Sequence, residues 1–167
     1  MLLDVHVLPG GGTLPTLAWQ WDPETDILSG SFTPAKVQTG YTGTVELDDD
    51  DGSTVLIDVV GGILSGVDIV VWPEVTALAG LAAPVEARVA QVLVPSQPPR
   101  RGSATTEADK TMTVATDLEN RVFHLRVGTR RPVEPLRVAD RLIVEVDAAH
   151  RLAGLWLDGV PLRPDLI

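Results

Sequence analysis

The chain has 167 residues, 44% of them hydrophobic and 22% charged, which is the composition of a globular protein long enough to bury a real core. Its formal net charge of −10 argues against nucleic acid and anionic membranes as partners, because both must be met by Lys and Arg. The absence of cysteine excludes disulfides, thiolate catalysis and Cys-ligated zinc.

The start, Met1-Leu2-Leu3-Asp4, has no basic segment leading into an apolar run, so no signal peptide is expected. No stretch approaches the roughly 20 apolar residues of a membrane helix, and a cytoplasmic location is the default expectation. Thirteen prolines and fifteen glycines predict many turns and few long helices. Period-two alternation predicts strands near residues 2–8, 16–21, 27–33, 43–58 (broken by an Asp-rich turn) and 63–71. Residues 76–85 read as a linker. Further strands are expected near 86–94, 110–116, 121–128, 136–147 and 151–158, with a Pro-, Arg- and Ser-rich loop from Gln97 to Ala108. Residues 86–94 also fit one face of a helix. Leu17, Trp19 and Trp21 share a strand face. Phe123, Leu125 and Val127 oppose His124 and Arg126, and Leu142, Val144 and Val146 oppose Glu145 and Asp147. The polar member of each alternation is expected to face water.

Three anchors recur in order. His6-Val7-Leu8-Pro9 returns as Val92-Leu93-Val94-Pro95. The acidic turn Asp22-Pro23-Glu24-Thr25-Asp26-Ile27-Leu28 returns as Asp117-Leu118-Glu119-Asn120-Arg121-Val122-Phe123. Leu64-Ser65-Gly66 precedes Pro73 at the spacing at which Leu152-Ala153-Gly154 precedes Pro161. These anchors predict a tandem duplication, with units at 1–75 and 86–167. Each unit alone would leave an apolar face in water. Two antiparallel meanders are therefore expected to pack as a sandwich or partly closed barrel with pseudo-twofold symmetry.

The second and third anchors resemble a short bacterial family, domain-of-unknown-function family 2283. The residues that carry the likeness are Trp21-Asp22-Pro23-Glu24-Thr25-Asp26-Ile27-Leu28, Ile57-Asp58 and Leu64-Ser65-Gly66-Val67-Asp68-Ile69, with their counterparts in the second half. Two positions depart from that pattern. Trp156 stands where the family tends to carry an acid, and Gly30 where it carries an apolar strand residue. The resemblance implies a fold and leaves a partner-binding role open.

No catalytic set is legible. The run Asp48-Asp49-Asp50-Asp51-Gly52 is no EF-hand, because Leu47 falls on a ligand position; it reads as a charged hairpin tip whose carboxylates are surface groups. His6, His124 and His150 are scattered and predict no metal site; His124 is expected to point outward. Ser29-Gly30-Ser31 is not a nucleophile elbow, and Gly10-Gly11-Gly12 lacks the Lys-Ser or Lys-Thr of a phosphate loop. Asp22 and Asp26 sit in a tight turn where hydrogen bonding outweighs a glycosidase-type pairing. Arg100-Arg101 and Arg130-Arg131 are too short to outweigh the acidic whole as a nucleic-acid footprint. The leading expectation is a non-catalytic protein-interaction or structural module without a cofactor. Its partner would be a basic protein drawn by Asp48, Asp49, Asp50 and Asp51, or a second copy of the chain. The alternative is a small-ligand carrier or enzyme using a cleft between the two units, with Trp19, Trp21 and Asp22 in its wall.

Overall fold

The computed structural model describes residues 3–10, 12–37, 39–95 and 111–163. These form thirteen strands of one continuous sheet and no helix; the sheet curls into an open half-barrel. The mainly-β expectation therefore holds. No helix among the described residues is long and apolar enough to cross a membrane. The loop from Gln97 to Ala108 and the Arg100-Arg101 pair lie outside the described residues.

In the first half, β2 (Gln20–Trp21), β3 (Leu28–Ser31), β4 (Gly43–Asp48), β5 (Thr54–Val60) and β6 (Ile63–Val71) lie in the spatial order β2-β3-β6-β5-β4, all antiparallel. Alternation builds them. Val45 and Leu47 are buried while Thr44, Glu46 and Asp48 are exposed, and Val55, Ile57 and Val59 fill the same side from β5. In the second half, β9 (Met112–Asp117), β10 (Val122–Val127), β11 (Val133–Ala139), β12 (Leu142–Asp147) and β13 (Leu152–Leu157) lie in the order β9-β10-β13-β12-β11. Two further strands join the halves. β1 (His6–Pro9) pairs antiparallel with β8 (Arg88–Leu93), and β8 touches β6 at Ile63↔Leu93 and runs parallel to β11. The segment 86–94 thus holds a strand, Arg88–Leu93, and no helix.

Two readings need correction. The single strand expected over 136–147 is a hairpin, β11 and β12, turned at Asp140-Arg141, which carries no Gly or Pro to announce it. The segment 76–85 is not wholly a linker, because β7 (Val75–Ala77) pairs parallel with β9.

The core is shared. Val45, Ile57 and Val67 of the first half pack in one cluster with Leu125, Val144 and Leu155 of the second. Burying each such side chain is worth about 1.5–3 kcal/mol. The outer face of the second half is covered as well. Val122, Ile143 and Trp156 form a second cluster beneath Leu81, Ala83 and Ala87. β12 and β13 are consequently buried along their whole length, Glu145 and Asp147 included, so these acids do not face water as alternation alone implies.

Candidate functional site

In the first half β2 and Trp72, which follows β6, meet β10 and residues 160–163 of the second half at a cleft of about 300 Å³. Its wall is aromatic. The Trp21 and Trp72 rings stack with centroids 5.7 Å apart, and Phe123 meets them at 6.3 Å and 5.2 Å. Both indole N–H groups are already used. Trp21 donates to the Pro161 carbonyl at 2.7 Å and Trp72 to the Asp26 carbonyl at 2.6 Å. What the cleft offers a visitor is therefore ring faces and edges, which favour apolar and π contacts. Val75, Leu118 and Leu162, all exposed, extend this apolar surface to the mouth.

The rim carries charge. Arg163 pairs with Asp26 at 2.9 Å and sits over the Trp21 ring at 5.8 Å. The acidic turn beside it is locally determined. The Asp22 carboxylate accepts the Glu24 N–H at 2.8 Å, and the Asp22 N–H donates to the Ile27 carbonyl at 2.9 Å. Asp22, Glu24 and Asp26 are left exposed along one side.

Of the candidate site residues, Trp21 lines this cleft together with Asp26 of the acidic turn, while Asp22 stands in that turn beside it. Trp19 is 3% exposed and donates to the Arg141 carbonyl at 3.1 Å, so it belongs to the core. Its ring accounts for Gly30: a Cβ there would lie 2.5 Å from it. Asp48, Asp50 and Asp51 are exposed, but Asp49 is buried. One Asp49 carboxylate oxygen accepts the N–H groups of Asp51 and Ser53, at 3.0 and 2.8 Å, and the other accepts that of Met112 at 3.2 Å. It builds the turn and ties it to β9; the four carboxylates are not equivalent surface charges. No group of three or more His, Asp or Glu among the described residues could hold a metal ion.

A polar constellation on the outer face of the second half escaped the sequence reading. His124 does not point into solvent: its Nε2 lies 2.6 Å from Glu145 Oε1, and its ring stacks on Trp156 with centroids 4.0 Å apart. The second Glu145 oxygen accepts the Trp156 indole N–H at 3.2 Å. Against an ionised carboxylate, which can only accept, the His124 ring donates through Nε2. Beside this pair Asp147 accepts Arg131 Nε at 2.8 Å and Arg151 Nε at 3.2 Å. Burial alone would raise its carboxyl, but the Arg131 hydrogen bond, the backbone N–H groups of Arg151 and Ala149 and the Arg151 charge hold it below the ordinary carboxylate range. On β5 of the first half the carboxyl of Asp58 is shifted the other way, raised by burial and by the Asp68 charge. The only sequence signal for the His124 site was Glu145 inside an otherwise apolar run. Compared with known proteins, the chain matches no family model and no curated protein.

Proposed function

We propose that this protein is a non-catalytic interaction module that receives an apolar side chain of a basic partner protein in the aromatic cleft. The observation that carries this reading is the cluster of Trp21, Trp72 and Phe123, with both indole N–H groups engaged and an exposed apolar mouth of Val75, Leu118 and Leu162. Interfaces are anchored by a large side chain seated in such a pocket. Asp22 and Glu24 beside the cleft, in a chain of net charge −10, favour basic residues next to that anchor. Selection of a random peptide display library on the intact protein tests this. Enriched peptides should carry an aromatic or leucine anchor beside Lys or Arg, and should lose binding to a folded Trp72→Ala variant. Enrichment of peptides without an apolar anchor, or retained binding to that variant, overturns it. A small apolar ligand in the same cleft is the second reading, favoured by a volume at the lower end of small-molecule sites. Saturable binding of indole-sized compounds with no peptide enrichment would select it.

We also infer a tandem duplication, in keeping with the likeness to domain-of-unknown-function family 2283. Four correspondences support it. The strand orders β2-β3-β6-β5-β4 and β9-β10-β13-β12-β11 run in parallel. Asp58 opposes Gly66 as Glu145 opposes Gly154, and a register shift follows each pair. Ser31 opposes Gly66 as Arg126 opposes Gly154. The leading segments are exchanged: Val5 donates to the His150 carbonyl beside β13, and Val94 to the Gly62 carbonyl beside β6.

A further inference from the structure

On the outer face of the second half, a depression of about 540 Å³ lies beneath Leu78 and Leu81. It is lined by His124, Glu145, Arg126, Arg130 and Arg131, with the hydroxyl-bearing Thr113 and Thr129 beside them. In a chain of net charge −10, three guanidinium groups in one depression run against the overall balance.

Arg126 is the informative member. Its cross-strand neighbours are Thr113 on β9 and Gly154 on β13, and beyond Gly154 in the same row stands Glu145. Glu145 is the acid expected to pair with it across the missing side chain. Instead both Glu145 oxygens are taken, one by His124 and one by Trp156. Arg126 forms no ion pair among the described residues, and its buried Nε has no hydrogen-bond partner. Leaving a buried charged donor unmet is costly, so such a group marks a place where something else accepts the bond. Arg131 repeats the pattern. Its Nε and Nη1 are engaged by Asp147, Val127 and Thr129, while its buried Nη2 has no partner. Arg130 is exposed at the edge.

We propose that this depression binds a phosphate group carried on a small molecule. Arg126 and Arg130 lack carboxylate partners among the described residues, whereas Arg131 is paired with Asp147 and both Glu145 oxygens are engaged by His124 and Trp156. Two uncompensated cations match a dianion, and guanidinium groups bind phosphate oxygens by paired hydrogen bonds. A tetrahedral group accepts donors from several directions at once, which suits unmet N–H groups on β10 and on the segment preceding β11 better than a planar carboxylate does. The His124–Glu145–Trp156 set engages both oxygens of the acid that lines the depression, and Gly154 gives its carboxylate room to lie there. His124, Glu145 and Trp156 are thus positioning residues.

Calorimetric and NMR titrations of the full chain with inorganic phosphate, phenyl phosphate and benzoate, at one fixed pH, test this. Saturable binding of phosphate and phenyl phosphate is expected, with benzoate weaker. Tighter binding of phenyl phosphate than of inorganic phosphate assigns the site to an ester; equal binding assigns it to the free anion, which overturns the small-molecule assignment. Arg126→Gln should weaken phenyl phosphate roughly tenfold or more. Arg130→Gln, at an exposed position with no fold to disturb, should weaken it severalfold. Arg88→Gln, whose partner is Glu134 outside this depression, should leave it unchanged. No saturable phosphate binding in the millimolar range overturns the proposal. So does wild-type affinity in a folded Arg126→Gln protein or in Arg130→Gln, or an equal loss in Arg88→Gln.

Discussion

The Glu145 carboxylate lies against the bare Cα of Gly154, its opposed residue on β13. A Cβ at Gly154 would strike that carboxylate and would come 2.8 Å from the Leu125 carbonyl, which is backbone and cannot move aside. Gly154→Ala should therefore cost about 1–3 kcal/mol, the usual range for overpacking. Gly66→Ala should behave alike, since its Cβ would meet Asp58 Oδ2 and the Gly30 carbonyl, each at 2.7 Å. Urea melts measure both. A wild-type midpoint for either would show that the carboxylate and strand have room to yield.

Phe123 and His124 are neighbours on opposite faces of β10, and both should matter for different reasons. Phe123→Ala removes a ring packed on Trp21 and Trp72 and should cost about 3 kcal/mol, the lower end for a buried ring because the cleft lets solvent in. His124→Ala leaves the buried Glu145 oxygen without its donor and should cost about 1–3 kcal/mol. Chemical denaturation with both variants is the check. A loss below about 0.5 kcal/mol for His124→Ala would return it to the status of a surface side chain.

Strand identity was legible in the sequence; what lies over each face was not. Alternation assigns Glu145 and His124 to the side opposite Val144 and Leu125, and that assignment is correct. It does not say that Leu81, Ala83 and Ala87 cover that side, because this segment reads as a connection. The cover is held from a distance. The Asp117 carboxylate accepts the Gly80 N–H at 2.8 Å, and the Asn120 side chain donates to the Leu81 carbonyl at 3.1 Å. β11 and β12 merged into one expected strand for a local reason. Ala139-Asp140-Arg141-Leu142 contains no turn residue that forces φ positive, and the turn is imposed by pairing. Of the cleft, the sequence offered Trp21 and the acidic turn that supplies Asp26. Trp72 joins Trp21 through the packing of the first half, and Phe123 joins them only through the meeting of the two halves.

Within the acidic run, position decides the effect. Asp49→Ala removes an acceptor of three backbone N–H groups and should cost about 2 kcal/mol, the range for charge-assisted bonds. Asp50→Ala, exposed and without such bonds, should change stability by less than about 0.5 kcal/mol. Paired thermal melts decide it. Equal effects would mean that the turn does not depend on the Asp49 carboxylate.

Asp147 and Asp58 should respond to pH with opposite sign. The folded value of Asp147 is lowered, so its contribution is present above its unfolded value of about 4 and is lost as pH falls through the folded one. Asp147→Asn should be less stable at neutral pH and flatter in acid. The folded value of Asp58 is raised by burial and Asp68, so ionising it destabilises the protein as pH rises above the unfolded value. Asp58→Asn should melt higher than wild type at pH 7 and match it in strong acid. A pH series of melting temperatures reads both, and equal slopes in the variants and wild type would contradict the assignments.

The placement of the leading segment against late parts of the chain bears on how the protein is made. Val5 is held by the carbonyl of His150, Leu3 accepts the N–H of Leu152, and His6 pairs with Leu93. During synthesis the first of these segments leaves the ribosome long before any of its partners exists. The first half must therefore persist with β6 uncapped until β8 emerges, and with the start of its leading segment unplaced until the last hairpin follows. Contacts this distant in sequence are slow to form. In the interval the exposed edge is open to other chains, and a chaperone or a neighbouring nascent copy has its clearest opportunity there.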